Sequence, residues 1–261
     1  MKLTKDNSKS LSKQRFGRYA QSYITSKPHA EGADLDSFIK IAQPQPDWIV
    51  LDVATGGGHT ALKFAPYVKK VIATDLTPNM LEAARKFIIG KGMKNVEFKL
   101  ADAEALPFED DKFDLVTCRI APHHFMDCAG FVQECARVLK QGGLLLVQDH
   151  VLPDDMDVDQ YMEVFEKLRD PSHNRAYTED EWREMFQDAG LMVTHTEQLT
   201  KKLQFTSWVE RQDCAPEVVQ ALILIMKLAS GATAEWMQAR DIGTPGATFL
   251  SHHIIISGRK C

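Results

Sequence analysis

The stretch Val50-Leu51-Asp52-Val53-Ala54-Thr55-Gly56-Gly57-Gly58-His59-Thr60 decides the fold. An apolar run ending near an acid, then a glycine turn, then an apolar periodic segment reads as strand, turn and helix start. Glycines at such a turn let the backbone take open dihedrals and let a ligand lie against it. Outward from here, short apolar runs alternate with helical patterns, which predicts βαβ units and a parallel sheet. Strands are expected at Trp48–Val53, Lys70–Asp75, Val96–Leu100, Phe113–Cys118 and Gly143–Gln148, with helices near His59–Tyr67, Pro78–Ile89 and Ala129–Leu139. Thr77 before Pro78 suits a capped helix start, and Gly90 and Gly92 its end. Thr178 with Glu181 makes a capping box for a helix running to Ala189 and closed by Gly190. A sixth strand, Leu191–Gln198, and a last one, Ser251–Ser257, follow.

Residues Leu199 to Leu250, between those last strands, are too many for a hairpin loop. They hold a helix at Pro216–Ala229 and a second around Ala232–Asp241. The first is apolar on nearly every face, so burial is expected, under Trp208 and Trp236 or against a substrate pocket or dimer contact. At 261 residues and 44% apolar the chain suits one α/β domain with inserted helices. The net charge of −5 is mild, with no basic stripe to suggest nucleic acid. Lys2, Lys5, Lys9, Lys13, Arg15 and Arg18 make the start a polar arm. No apolar signal core lies near Met1, and the longest apolar run, Ala221–Met226, falls far short of the ~20 residues of a membrane span. Five cysteines without CxxC or CxxH spacing read as reduced thiols, so a cytoplasmic protein is expected; separately, a monomer or homodimer is expected.

Two ligands compete for the glycine turn. Gly56-Gly57-Gly58-His59-Thr60-Ala61 satisfies the relaxed dinucleotide pattern G-x-G-x-x-A, and Asp75 follows about twenty residues on, where a ribose-binding acid belongs. That is the NAD-dependent oxidoreductase reading. Asp52 opposes it, because a pyrophosphate at this turn would meet a like charge. S-adenosylmethionine presents an ammonium and a sulfonium there instead, and a carboxylate attracts both.

Further segments then fall into a family order. They are Phe16-x-x-x-Ala20-x-x-Tyr23, Asp52 to Gly58, Asp75, Ala101-Asp102-Ala103-Glu104-Ala105-Leu106-Pro107-Phe108, Phe113-Asp114-Leu115-Val116-Thr117-Cys118-Arg119, and Glu134-Cys135-Ala136-Arg137-Val138-Leu139-Lys140-Gln141-Gly142-Gly143. Together they resemble class I S-adenosylmethionine-dependent methyltransferases, in particular the group with the ubiquinone/menaquinone-biosynthesis C-methyltransferases. The likeness runs from about Phe16 to Lys140. It implies a Rossmann-like α/β sheet with helices on both faces, completed here by an inserted helical cap near the C-terminus. It also implies S-adenosyl-L-methionine as cofactor and transfer of its methyl group to a small molecule, on O, C or N. A protein of this fold that binds the cofactor without catalysis is the alternative. Residues 1–35 would form an arm and lid helix, 36–150 the cofactor-binding core, and 151–261 the end of the sheet with the cap. Tyr23, Asp52, Ala54, Thr55, Gly56, Gly58, Asp75, Leu76, Met80, Asp102, Ala103, Glu104 and Arg119 stand at the family's cofactor positions. The middle Gly57 departs from the usual G-x-G, and His123-His124-Phe125 and the C-terminal insertion are foreign to the quinone-modifying members.

The sulfonium is already an activated leaving group, so alignment is the protein's first task and a general base its second. Open α/β sheets bind ligands beyond the carboxyl ends of their strands. His123 and His124 stand there after the fourth strand, as candidate catalytic bases, and His150 after the fifth. His150, with His173 and Arg175 of the polar run Arg169–Arg175, is a candidate for substrate contact. The competing account of the pair has one histidine capping the helix near Asp127 and the other packing beside Phe125. His252 and His253 read as structural, one buried and one exposed. No carboxylate or cysteine cluster accompanies the histidine pairs at ligand spacing, so no metal is expected.

Overall fold

The central strands are apolar on both faces, which suits a parallel sheet covered by helices on both sides. The computed structural model describes residues 9–11, 13 and 33–261. Its parallel strands are β1 (Ile49–Val53), β2 (Lys70–Asp75), β3 (Val96–Leu100), β4 (Phe113–Arg119) and β5 (Leu139–Leu152). A two-residue strand, β6 (Tyr177–Thr178), pairs with the end of β5, and β8 (Thr248–Lys260) runs antiparallel to both β5 and β7 (Leu191–Gln204). The main order is β3-β2-β1-β4-β5-β8-β7. It reverses direction between β1 and β4, and a crevice opens at their carboxyl ends there, as in other open α/β sheets.

On one face α1 (Ala33–Ala42), α2 (His59–Phe64) and α3 (Pro78–Gly90) bury Phe38, Phe64 and Ile88 against Val50, Val71 and Leu146. On the other, α4 (Cys128–Val138) and α6 (Glu179–Asp188) bury Phe131, Trp182 and Phe186 against Leu51, Val116 and Ile256. A third cluster joins α5 (Met156–Arg169) to α7 (Phe205–Glu210), α8 (Pro216–Leu228) and α9 (Gly231–Met237) through Phe165, Trp208, Leu222 and Met237. The capping box forms as read: Glu181 N donates to Thr178 Oγ1 at 3.2 Å and Thr178 N to the Glu181 carboxylate at 2.9 Å.

Three expectations need correction. Thr77 stands at the cap position of α3, but its side chain makes no capping bond. Strands β7 and β8 run further than their apolar stretches, because ladder bonds alone continue the pairing from Thr200 opposite His252 to Gln204 opposite Thr248. The inserted helices therefore stand on a two-stranded arm. Helix α8 is not buried all round: Leu222 and Met226 face the cluster, while Leu224 and Leu228 are 57% and 69% exposed. It lies on the outside of the cap and packs by one face only. Among the described residues no single helix is long and apolar enough to cross a membrane.

Gly58 fixes the start of α2. Its φ of 83° lies in the left-handed region, and a Cβ there would sit 2.8 Å from Ile88 Cδ1 on α3. Gly58→Ala is expected to cost at least about 2 kcal/mol, from the backbone penalty and the displaced isoleucine together. Urea denaturation checks this; an unchanged midpoint would mean that the turn is not held where it stands.

Candidate active site

The crevice between β1 and β4 opens to about 1070 Å³ of space not filled by atoms. Of the residues expected at cofactor positions, Asp52, Ala54, Thr55, Gly56, Asp75, Leu76, Met80, Asp102, Ala103, Glu104 and Arg119 line it. Gly58 stands behind the turn, where close packing and positive φ require it. Tyr23 lies outside the described residues. Gly57, His59, Thr60, Ile120, His124 and Phe125 also line the crevice.

Asp52 closes the inner end of the crevice and is 1% exposed. Thr55 Oγ1 donates to its Oδ2 at 2.6 Å and Thr117 Oγ1 to its Oδ1 at 2.7 Å. Burial pushes its pKa up to about 6, against the hydroxyl bonds and the nearby Arg119 guanidinium. The acid thus braces the turn and borders the cavity at once. Thr117 is the partner that motif reading missed; it lies directly across from Asp52 in the β1–β4 register.

Asp75 accepts from Gly56 N at 3.1 Å and Thr77 N at 2.9 Å, which ties the ends of β1 and β2 together. Burial lifts this carboxyl to about 6 as well, and the two backbone donors pull the other way. Asp102 accepts from Glu104 N at 3.0 Å, and Lys9 Nζ reaches both acids, at 2.6 Å from Asp102 and 2.9 Å from Glu104. A Cβ on Gly56 would meet nothing within 4 Å, so the turn presents bare backbone to the cavity.

Arg119 forms the crevice wall at the end of β4. Its Nε donates to Thr60 Oγ1 at 3.2 Å and its Nη1 to Asp34 Oδ2 at 3.0 Å. Lys201, from the β7 arm, reaches the same Asp34 oxygen at 3.0 Å. Burial opposes ionisation of Asp34, yet the two cations hold its pKa below the usual value. Ile120, the next residue, has φ 55° and donates its N–H to Gln148 O at 2.8 Å. A β-branched residue held left-handed stores roughly 1–3 kcal/mol, and here that strain borders the cavity.

Beyond β4 the sequence-read histidines meet. The His123 ring lies 4.1 Å from His124, 4.7 Å from His150 and 5.4 Å from His173, centre to centre, and His150 lies 4.6 Å from His253. Burial lowers the pKa of His123, His124 and His150 alike. His124 alone of these lines the main crevice, and its Nδ1 stands 3.0 Å from the Ser172 carbonyl. A carbonyl only accepts, so Nδ1 carries the proton and Nε2 the lone pair. His123 Nδ1 and its backbone N both approach Asp149, each at 2.6 Å. Asp149 carries the same signal as Asp52 and Asp75, an acid at a strand's carboxyl end, and motif reading missed it.

The run Arg169–Arg175 works as a brace. Asn174 N donates to His123 O at 2.8 Å and its side chain to Phe125 O at 2.7 Å. Asp170 is 3% exposed and accepts from Ser172 N and the Gln212 amide, at 2.9 and 2.7 Å. His173 joins the ring cluster, with Nε2 3.1 Å from Glu163. The Arg175 guanidinium does not; it pairs with Glu181 at 2.6 Å near the surface. Nor does a histidine cap α4, because Asp127 accepts from Gly130 N at 2.9 Å and caps it. His253 is buried and His252 partly exposed, as their alternation predicts.

A methyltransferase-domain family model (Methyltransf_11) matches residues 51–147. The methyltransferase YcgJ of Bacillus subtilis (strain 168) is 43% identical over 247 residues, 94% of this chain and 97% of its own. A crystal structure of a Bacillus halodurans C-125 protein superposes with a TM-score of 0.84 at 40% identity, covering 88% of this chain and 99% of that one. UbiE of Zymomonas mobilis, a ubiquinone/menaquinone-biosynthesis C-methyltransferase, is 35% identical over 108 residues, 41% of this chain and 45% of its own. The quinone-modifying likeness thus spans under half of the chain, whereas the YcgJ likeness takes in the histidine segment and the cap. By that near-complete relative and by its sheet, the chain belongs to the class I S-adenosylmethionine-dependent methyltransferases.

Proposed function

We propose that the crevice binds S-adenosylmethionine and that the enzyme methylates a small molecule, with His124 as general base. The observation that carries this reading is the charge of the crevice lining. Asp52, Asp75, Asp102 and Glu104 all border it at the ends of successive strands, beside a glycine turn that offers bare backbone. Such a wall suits a ligand with an ammonium, a sulfonium and a ribose, and it repels a pyrophosphate. Asp52 would face the cationic methionine end, Asp75 the ribose hydroxyls, and Asp102 the adenine amine. In this reading the Lys9 ammonium stands where a donor of that kind is accepted. When bound, S-adenosylmethionine supplies an activated methyl group.

The protein's own part is to orient the acceptor and take its proton. The Ser172 carbonyl fixes the His124 tautomer, so Nε2 is the accepting nitrogen. Burial keeps the ring neutral at neutral pH, the state a base requires. An acceptor bearing an acidic O–H, N–H or C–H would give its proton to Nε2 as the methyl arrives.

Asp75→Ala is expected to weaken S-adenosylmethionine binding by about tenfold or more, the worth of hydrogen bonds to a charged group. Calorimetry decides it, and unchanged affinity would remove the ribose assignment. Affinity should also depend on pH. Asp75 and Asp52 both ionise near pH 6, and a cationic or hydroxyl-donating ligand favours the ionised forms. Binding should therefore strengthen as pH rises through 6 and fade below it; a flat profile from pH 5 to 8 would contradict the roles given to both acids. His124→Ala should lower turnover about 10²–10⁴-fold on an identified acceptor, with cofactor affinity near wild type. Full turnover in that variant would leave alignment as the only catalytic device.

A further inference from the structure

The histidine cluster holds more than one base needs. His123, Asp149 and His150 each offer a ligand atom, and these atoms all lie within 4.8 Å of one another. Donors around one ion, at metal–nitrogen lengths of about 2.0–2.1 Å, stand roughly 3–4 Å apart. A small contraction of side chains therefore brings the three to a shared centre.

Two further observations separate this cluster from a set of hydrogen-bonded core histidines. Among the described residues the His150 ring touches other rings, those of His123 and His253, and makes no hydrogen bond. His253 is 4% exposed, and its buried Nδ1 has no hydrogen-bond partner among the described residues. Buried imidazole nitrogens normally find partners, because an unmade bond costs about 1–3 kcal/mol.

The surroundings fit a cation. A second cavity of about 310 Å³ is lined by His150, His173, Glu163, Glu166 and Ser251 among others. The nearby basic groups are already engaged. Lys167 pairs with Glu163 at 2.8 Å, and Arg169 lies over the Trp208 ring and donates to its carbonyl. An anionic ligand would meet Asp149, Glu163 and Glu166, whereas a cation meets lone pairs.

We propose that His123, Asp149 and His150 bind a divalent transition-metal ion of the zinc class. Two imidazoles and a carboxylate form a borderline donor set, which selects such ions over magnesium or calcium, whose sites are built from oxygen. The ion takes the place of the hydrogen bond between His123 Nδ1 and Asp149 Oδ1: the neutral ring keeps its single proton on Nε2 and turns the Nδ1 lone pair to the ion, beside the ionised carboxylate. Three protein ligands leave a coordination position open, where a water or a substrate oxygen completes the shell; of the three, His150 also lines the second cavity. This site stands apart from the carboxylates of the main crevice, and the inference does not rest on the methyl-transfer reading.

The test uses the full-length, tag-free protein, stripped with chelator and titrated with Co²⁺, Zn²⁺ and Mg²⁺. Expected are one equivalent of Co²⁺ per chain with visible d–d absorption, displacement by Zn²⁺, and no saturable uptake of Mg²⁺. His150→Ala and Asp149→Asn should each weaken Zn²⁺ binding by about tenfold or more, while His252→Ala, which leaves all three donors in place, should not. Thermal melts confirm that each variant folds. If Asp149→Asn does not, His150→Ala decides, because among the described residues that ring holds no hydrogen bond to lose. Absence of stoichiometric Co²⁺ uptake by wild type, or uptake unchanged in His150→Ala, overturns the site. S-adenosylhomocysteine affinity, measured on the same preparations, tests the cofactor reading separately.

Discussion

A carboxylate at the end of the central strand, almost wholly out of water, is the constraint on which the site depends. Asp52 can stay charged there only if donors replace its hydration, since an unpaired buried charge costs several kcal/mol. Thr55 and Thr117 supply two hydroxyls, one from the glycine turn and one from the neighbouring strand. The first bond fixes how the chain leaves β1. The second fixes how β4 stands beside it. The remaining electrostatic complement comes from Arg119, itself held by Thr60 and Asp34. Through Asp34 the network reaches α1, and through Lys201 it reaches the long arm of β7. Elements from both ends of the described chain are thus anchored around one acid, and the crevice forms among them.

The second anchor is the stitching of two loops that share no motif. The His123–Phe125 turn leaves β4 through a left-handed Ile120, and the Asp170–Asn174 turn leaves α5. Backbone and amide bonds from Asn174, with the Ser172 carbonyl on His124, hold the first turn in place. Gln212, from the segment that follows Trp208 in the cap, ties the second turn down by donating to Asp170 at 2.7 Å. The positions of the imidazoles therefore depend on the cap as well as on the sheet, which gives the C-terminal insertion a physical task beyond covering apolar surface.

Much of this was legible in the sequence, for local reasons. A strand, a turn and a helix start are written in consecutive residues, so Asp52, Gly56, Gly58 and Asp75 could be placed before any fold was known. His123, His124, His150 and His173 could be picked out because strand ends and a polar run mark them. What escaped was pairing across distance. Asp149 looks like any strand-end acid until folding sets it against His123. Thr117 looks like an ordinary strand residue until the β1–β4 register sets it opposite Asp52. Lys201 sits in a polar alternating stretch that continues as a strand only because β8 offers it a ladder. Composition misled for α8, where an apolar sequence implied full burial and the cap left one face outside. The pairing of Arg175 with the capping-box glutamate is another contact that the polar run itself does not announce.

The central claim is that the carboxylate wall around Asp52 and Asp75 selects a cationic, phosphate-free nucleoside ligand. Isothermal titration of the protein with S-adenosylhomocysteine, S-adenosylmethionine and NAD, for wild type and Asp52→Asn, tests it most directly. The expected result is saturable binding of the first two, weakened in the variant with the cationic sulfonium ligand losing more than its neutral-sulfur counterpart, and no binding of NAD by either protein. NAD binding by wild type, or cofactor affinity indifferent to Asp52→Asn, would contradict it.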